Sequence, residues 1–232
     1  IIGYDFVDKT IMYIGDVKYP DYLPYDENKH GTAVSSLISA EHNNKKGITG
    51  IAFDAKIMAL RAFDVGGNAE CKDIANAIVY AAINGADVIN MSFGEYMSSP
   101  IMHTAIKFAD ALGCILIASA GNDGITKLHY PSSYSEVISV GGCNEDLKQI
   151  YNYGNNLNIT APAKNIYTAI PKNNYAKLSG TSFSAPIVSG ISALLKEVNQ
   201  SLTTKDVINI LNYSFFFLIS LLSLFSFFLE SL

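Results

Sequence analysis

The chain has 232 residues, of which 49% are hydrophobic and 16% charged, and its net charge is −5. That length suits one domain able to bury most of its apolar surface, and the composition excludes a disordered or heavily solvated chain. An acidic balance without Lys/Arg runs excludes the clustered basic face that a nucleic-acid partner requires. The cysteines, Cys71, Cys114 and Cys143, show no metal spacing and cannot all pair. Cys114 and Cys143 lie in apolar runs and read as buried strand residues.

Strand-like and helix-like segments alternate along the chain. Residues 56–61 read as a strand. A helix follows from Asp73 to Asn84, with Ile74, Ala77, Ile78, Ala81 and Ala82 on one face and Gly85 as its stop. Residues 88–91 form the next strand. A second helix starts at Ser99-Pro100, with proline in the first turn, and ends before Gly113. The runs 114–118 and 137–140 are apolar without alternation, as strands buried on both faces are. The pattern predicts an α/β domain of three αβα layers around a mostly parallel central sheet. Past Gly142 come shorter polar pieces and a strand at 166–170, then closing helices over 182–198 and about 204–211, the latter capped by Thr203.

Three positions carry chemistry. Ser182 sits in Gly180-Thr181-Ser182-Phe183-Ser184-Ala185-Pro186, where a glycine-ended loop meets a helix that Pro186 is expected to open. The free N–H groups and dipole of a helix start favour negative charge developing at the serine oxygen. Small residues at Ser184, Ala185, Ser189 and Gly190 let this helix pack deeply. His30 opens another helix, His30-Gly31-Thr32-Ala33-Val34, and histidine is the natural base for a serine hydroxyl near neutral pH. Asn122 follows the strand 115–118 through Gly121, at the carboxyl end of a strand, where open α/β sheets place their sites. Read singly, each has an ordinary explanation: a helix cap, a helix-start histidine, a turn asparagine. All four histidines precede Ser182, which excludes the α/β-hydrolase order, and the alternation of elements excludes an all-β protease.

Taken together, His-Gly-Thr, Ser-Ala-Gly-Asn and Gly-Thr-Ser-Phe-Ser-Ala-Pro resemble the subtilisin-like serine proteases, a resemblance running from Ile1 to about Leu211. It extends to Asn90-Met91-Ser92-Phe93-Gly94 and Val137-Ile138-Ser139-Val140-Gly141. The resemblance implies a serine endopeptidase that works through an acyl-enzyme, with Ser182 as nucleophile, His30 as proton shuttle and Asn122 with the Ser182 N–H holding the oxyanion. It also implies that Ser92, Phe93 and Gly94 form the strand edge pairing with an extended polypeptide substrate. Ala118, Ser119, Ala120 and Gly121 would wall the pocket for the residue before the cleaved bond. A pro-segment inhibitor and a secreted or cell-envelope location belong to the same implication. No cofactor is required.

The sequence also departs from that pattern. The family's aspartate ends a hydrophobic strand well upstream of the histidine, whereas only 29 residues precede His30. Residues 1–8 resemble the segment on the C-terminal side of that strand, so residues 1–212 read as a peptidase domain lacking it. Asp5 and Asp8 are considered as stand-ins, and both read as loop or surface residues. Without the carboxylate the competing class is a homologue that binds extended peptides without cutting them. Ala33 replaces a histidine usual in the family, and a packing change alone is expected. Structural calcium is common in the family, but in the Glu41–Gly47 loop two lysines stand among the residues expected to offer oxygen ligands, so the loop reads as solvated. Residues 213–232 form a Phe/Leu/Ser/Ile tail, read as a frame-change product or a membrane segment, with 213–229 at the lower limit of a span.

Overall fold

A computed structural model of the chain describes residues 2–7, 11–14, 17–20 and 23–213, with side chains omitted at 2 and 11–20. Residues 214–232 and Asp8 lie outside the described residues, and with them nearly all of the apolar tail. No helix among the described residues is long and apolar enough to cross a membrane.

The expected three layers are present. The central parallel sheet has the order β5 (Val88–Met91), β6 (Ile115–Ser119), β7 (Ile138–Cys143), β8 (Ile159–Pro162). Every residue of β6 and β7 is buried, as their unbroken apolar runs require of strands covered on both faces. Alternate residues of β6 serve opposite cores. Leu116 and Ala118 join α2 (Cys71–Ile83) and α3 (Pro100–Ala111) on one side; Ile115 and Ile117 join α4 (Thr181–Val198) on the other.

Helix boundaries follow their punctuation. Ser99 caps α3 by accepting from the Met102 N–H, with Pro100 in the first turn. Gly85 and Gly113, at φ 78° and 85°, end α2 and α3 in the left-handed conformation that glycine tolerates. Residues 204–213 are helical, opened by a reciprocal box: Asp206 Oδ2 accepts from the Thr203 N–H at 2.9 Å, and Thr203 Oγ1 accepts from the Asp206 N–H at 3.2 Å.

The N-terminal segment differs from expectation. Ile2–Asp5 is a strand, β1, paired in parallel with β4 (Met58–Arg61), and Asp5 is buried rather than on a loop or the surface. Arg61 explains this, because its Nη1 donates to Asp5 Oδ2 at 2.8 Å and so compensates the buried carboxylate. Among the described residues β4 and β5 do not pair. The β1–β4 ribbon joins the main sheet through α2, whose apolar face packs on Met58, Leu60, Ile89 and Met91 in one cluster. Two antiparallel hairpins complete the described strands: β2 (Ile11–Ile14) with β3 (Val17–Pro20), and β9 (Ile166–Ile170) with β10 (Asn174–Leu178). The second packs beside α1 (His30–Ser39), which lies against α4.

Candidate active site

The serine turn is held by backbone constraints that side-chain patterns only hint at. Gly180 has φ 140°, a conformation almost closed to other residues, and a Cβ there would come within 3.4 Å of the Asn122 amide. The helix starts at Thr181, one residue ahead of the expected 182–198, and Pro186, expected to open it, falls inside it. Proline at that position has no N–H, so the carbonyl four residues earlier loses its helical partner. That carbonyl belongs to Ser182. It accepts instead from the Ser92 hydroxyl at 2.8 Å, whose oxygen in turn accepts from Asn90 Nδ2 at 2.9 Å. The proline that interrupts the ladder thereby frees the Ser182 carbonyl to be clamped by the residue that follows β5.

Asn122 is latched to the same turn. Its Oδ1 accepts from the Thr181 N–H at 2.8 Å and from the Thr181 hydroxyl at 3.0 Å, while the Gly121 N–H donates to Thr181 Oγ1 at 3.2 Å. With its oxygen so occupied, the amide is oriented, and Nδ2 has no acceptor among the described residues. Asn122 is exposed at the end of β6, so that nitrogen is free to donate to an incoming group.

His30 is the first residue of α1, half-buried, with its ring centroid 5.8 Å from that of Phe183, the neighbour of Ser182. Ala33, fully buried, packs with Val34, Leu37 and Phe183 in the cluster that holds α1 against α4. Burial lowers the imidazole pKa, an effect partly offset by the nearby Asp26 carboxylate. A histidine held neutral in this way is competent as a base at neutral pH. The Ser182 hydroxyl itself donates to the Ser92 carbonyl at 3.2 Å.

Asp26 was not anticipated. Its Oδ1 accepts from the Asn28 and Lys29 N–H groups, and its Oδ2 from the Thr32 N–H at 2.7 Å and hydroxyl at 2.6 Å. Desolvation raises its pKa, but these bonds from Thr32, Lys29 and Asn28 outweigh it and hold the carboxyl below its usual range. Asp26 thus fixes the start of the histidine helix, while Lys29 takes the strained φ of 81°. Asp5 accepts from Arg61 and from the Val7 N–H.

The structure thus links the Ser182 turn directly to Asn122 through Thr181, and places His30 beside it through the Phe183 ring, with no hydrogen bond between His30 and Ser182 among the described residues. The sequence profile of the subtilase family matches residues 5–214. The chain belongs to the subtilase family. It is 41% identical to a thermophilic serine proteinase of Bacillus sp. (strain AK1) over 197 residues, covering 84% of this chain and 46% of that protein. To thermitase of Thermoactinomyces vulgaris it is 36% identical over 201 residues, covering 86% and 68%. Among solved structures, proteases from Pseudoalteromonas arctica superpose with a TM-score of 0.80 at 26% identity, covering 90% of this chain and 75% of the other. The chain therefore spans about half the length of the Bacillus relative.

In this subtilase the segments named for substrate binding lie side by side, since Ser119 Oγ donates to the Phe93 carbonyl at 3.4 Å. Gly94 is exposed, Ser92 is buried, and Phe93 packs on Phe63 with centroids 5.0 Å apart. Ala118, Ser119, Ala120 and Gly121 are all buried, and Ala118 belongs to the core under α2 and α3. Asn152 is a residue that motif reading missed. Fully buried, it accepts from the Asp123 N–H at 2.8 Å and donates to the Ala120 carbonyl at 3.2 Å and the Lys127 carbonyl at 2.9 Å. It therefore shapes the loop that carries Asn122. Its partners lie 25–32 residues away in sequence, which no local pattern reveals.

Proposed function

We propose that this subtilase is a serine endopeptidase acting on extended polypeptides, and the observation that carries the reading is the joint latching of Ser182 and Asn122 through Thr181. The Ser182 hydroxyl attacks a peptide carbonyl carbon, its proton passes to the neutral His30 imidazole, and a C–O bond forms. The oxyanion accepts from the Asn122 Nδ2–H and the Ser182 N–H. His30 then gives the proton to the leaving nitrogen as the C–N bond breaks, and water hydrolyses the acyl-enzyme by the reverse proton path. Ser92, Phe93 and Gly94 offer an edge for an extended chain. Nucleophile, base and oxyanion donors are all protein groups, so the reaction runs without a cofactor. In the 41–47 loop, Asn44 turns its oxygen to the Lys46 N–H and its nitrogen to Glu41, bonds that suit a self-contained turn. An exported location and inhibition by a pro-segment accord with the same reading.

A peptidyl aryl phosphonate tests it. The nucleophile displaces the aryloxide and forms a stable O–P bond, which intact mass registers. Labelling that disappears in Ser182→Ala is expected. A folded protein that is never labelled would instead be the peptide-binding, non-cutting homologue.

A further inference from the structure

In the proposed reaction the carbonyl that Ser182 attacks lies between the Ser182 turn and Asn122, and two segments flank these residues. One is Ser92-Phe93-Gly94, clamped to Ser182 through Ser92; the other is Ser119-Ala120-Gly121, which leads into Asn122. Both end in glycine. The His129 side chain lies against both glycines, and beside Gly121 it shares the space with the Asn152 side-chain amide, which is nearer still. A Cβ on Gly94 would come 2.7 Å from His129 Cβ, and one on Gly121 would come 3.0 Å from ring atoms Cγ and Nδ1.

The histidine is fixed there from several directions. Its N–H donates to the Ala120 carbonyl at 3.0 Å, and its own carbonyl accepts from Ser132 Oγ at 2.6 Å and from the Ser133 N–H at 2.9 Å. The Tyr96 ring meets the imidazole edge-on at a centroid distance of 4.5 Å. Asp123 Oδ2 lies 2.7 Å from Nε2 without the alignment of a hydrogen bond, so packing holds the ring rather than a directed bond. The side chain is only 13% exposed. Moving it to admit a bulky group would break contacts on several sides, in an interior that repacks poorly.

We infer that His129, backed by Tyr96 and Asp123, closes the pocket for the residue preceding the cleaved bond, so that the enzyme selects small side chains there and rejects aromatic ones. The inference rests on the peptidase reading and specifies its substrate class. The wedge acts by volume, which makes a bulky replacement for His129 as effective as the imidazole itself.

The experiment compares two peptidyl diphenyl phosphonates that differ only in an alanine-like or phenylalanine-like group at the reactive position. Labelling rates of Ser182 are followed in the whole protein. A hydrophobic pocket discriminates about 10–200-fold per methylene it lacks room for, so the alanine-like probe is expected to react at least about tenfold faster. His129→Ala should lower that ratio by about tenfold or more, while His129→Phe should retain it. An unchanged ratio in a His129→Ala protein that still labels would overturn the inference and leave the peptidase reading standing. Absence of labelling by either probe in every variant would remove both together.

Discussion

The interrupted ladder at Pro186 gives a sharp test of how the nucleophile is held. Ser92→Ala removes the donor to the Ser182 carbonyl and the acceptor for Asn90 Nδ2. A polar group left unpaired in a protected site costs about 1–3 kcal/mol, and Ser182 is half-buried, so each loss sits near the lower end. The expected destabilisation is about 2 kcal/mol, or about 4–8 °C in Tm for a domain of this size. Pro186→Ala changes the arithmetic. It restores an N–H four residues after Ser182 within α4, where helical geometry delivers it to the Ser182 carbonyl. In that background Ser92→Ala should cost only the Asn90 component, about 1 kcal/mol, leaving a coupling of about 1 kcal/mol between positions 92 and 186. Urea unfolding of the parent, both single variants and the double variant measures the cycle without requiring catalysis. Equal costs of Ser92→Ala in both backgrounds would refute the clamp.

Three further outcomes are expected from the geometry. Arg61→Ala removes the cationic partner of the buried Asp5 carboxylate, which keeps the Val7 N–H, and should cost about 3 kcal/mol, whereas Asp5→Leu with Arg61→Met should recover most of it in thermal unfolding. Asn122→Asp keeps an oxygen for Thr181 but removes the donor; phosphonate labelling should slow by about 10²–10³, the size that loss of the corresponding donor has in subtilisin itself. Because burial lowers the His30 pKa, the unfolded chain takes up a proton near its ordinary value of about 6.5 while the folded chain stays neutral. Stability should therefore fall on acidification below about pH 6.5, down to the folded value, and His30→Gln should remove that part of the slope in unfolding free energy. Labelling should hold its plateau through about pH 6.5 and decline only below it, and a decline beginning above that value would contradict a neutral, buried base.

The outline of the fold was legible where one residue type had one job. The runs at 114–118 and 137–140 read as buried strands because both their faces are covered, and Ser99-Pro100 and Gly113 mark helix ends through their own backbone preferences. Residues 1–8 resisted the same reading. Ile2–Asp5 is short and ends in a charge, and the cation that pairs with its buried aspartate, Arg61, stands 56 residues away. Pro186 misled in a more instructive way. Taken locally, proline near a helix start belongs in the first turn, and placing it five residues into α4 costs a hydrogen bond. That cost has a counterpart only in three dimensions, since the carbonyl it strands is the one that Ser92 must reach to fix Ser182.

The same division runs through the site. Ser182, His30 and Asn122 each had an ordinary reading alone and stood out only together, through the three motifs that carry the family resemblance. The groups that aim them are ordinary residues: Thr181 orients the Asn122 amide, Asp26 caps the helix bearing His30, and Asn152 ties the 120–127 loop through three well-formed bonds. Asp26 and Asn152 work by contacts to backbone and Thr181 by its bonds to the Asn122 side chain; the partners of Thr181 and Asn152 come within reach only in the folded chain, although Thr181 itself stands in the motif around Ser182. The Asn152 network gives this a measurable form. Asn152→Ala leaves the Asp123 N–H and the Lys127 carbonyl without their partner, while the Ala120 carbonyl keeps the His129 N–H, a loss of about 2 kcal/mol if water enters to recover part of the bonding. Since Asn122 lies between the tethered residues, labelling of Ser182 should slow along with the fall in stability. A variant that loses stability but labels at the parent rate would show that the loop's fold and the aim of Asn122 are separable, and that Thr181 alone suffices to hold the amide.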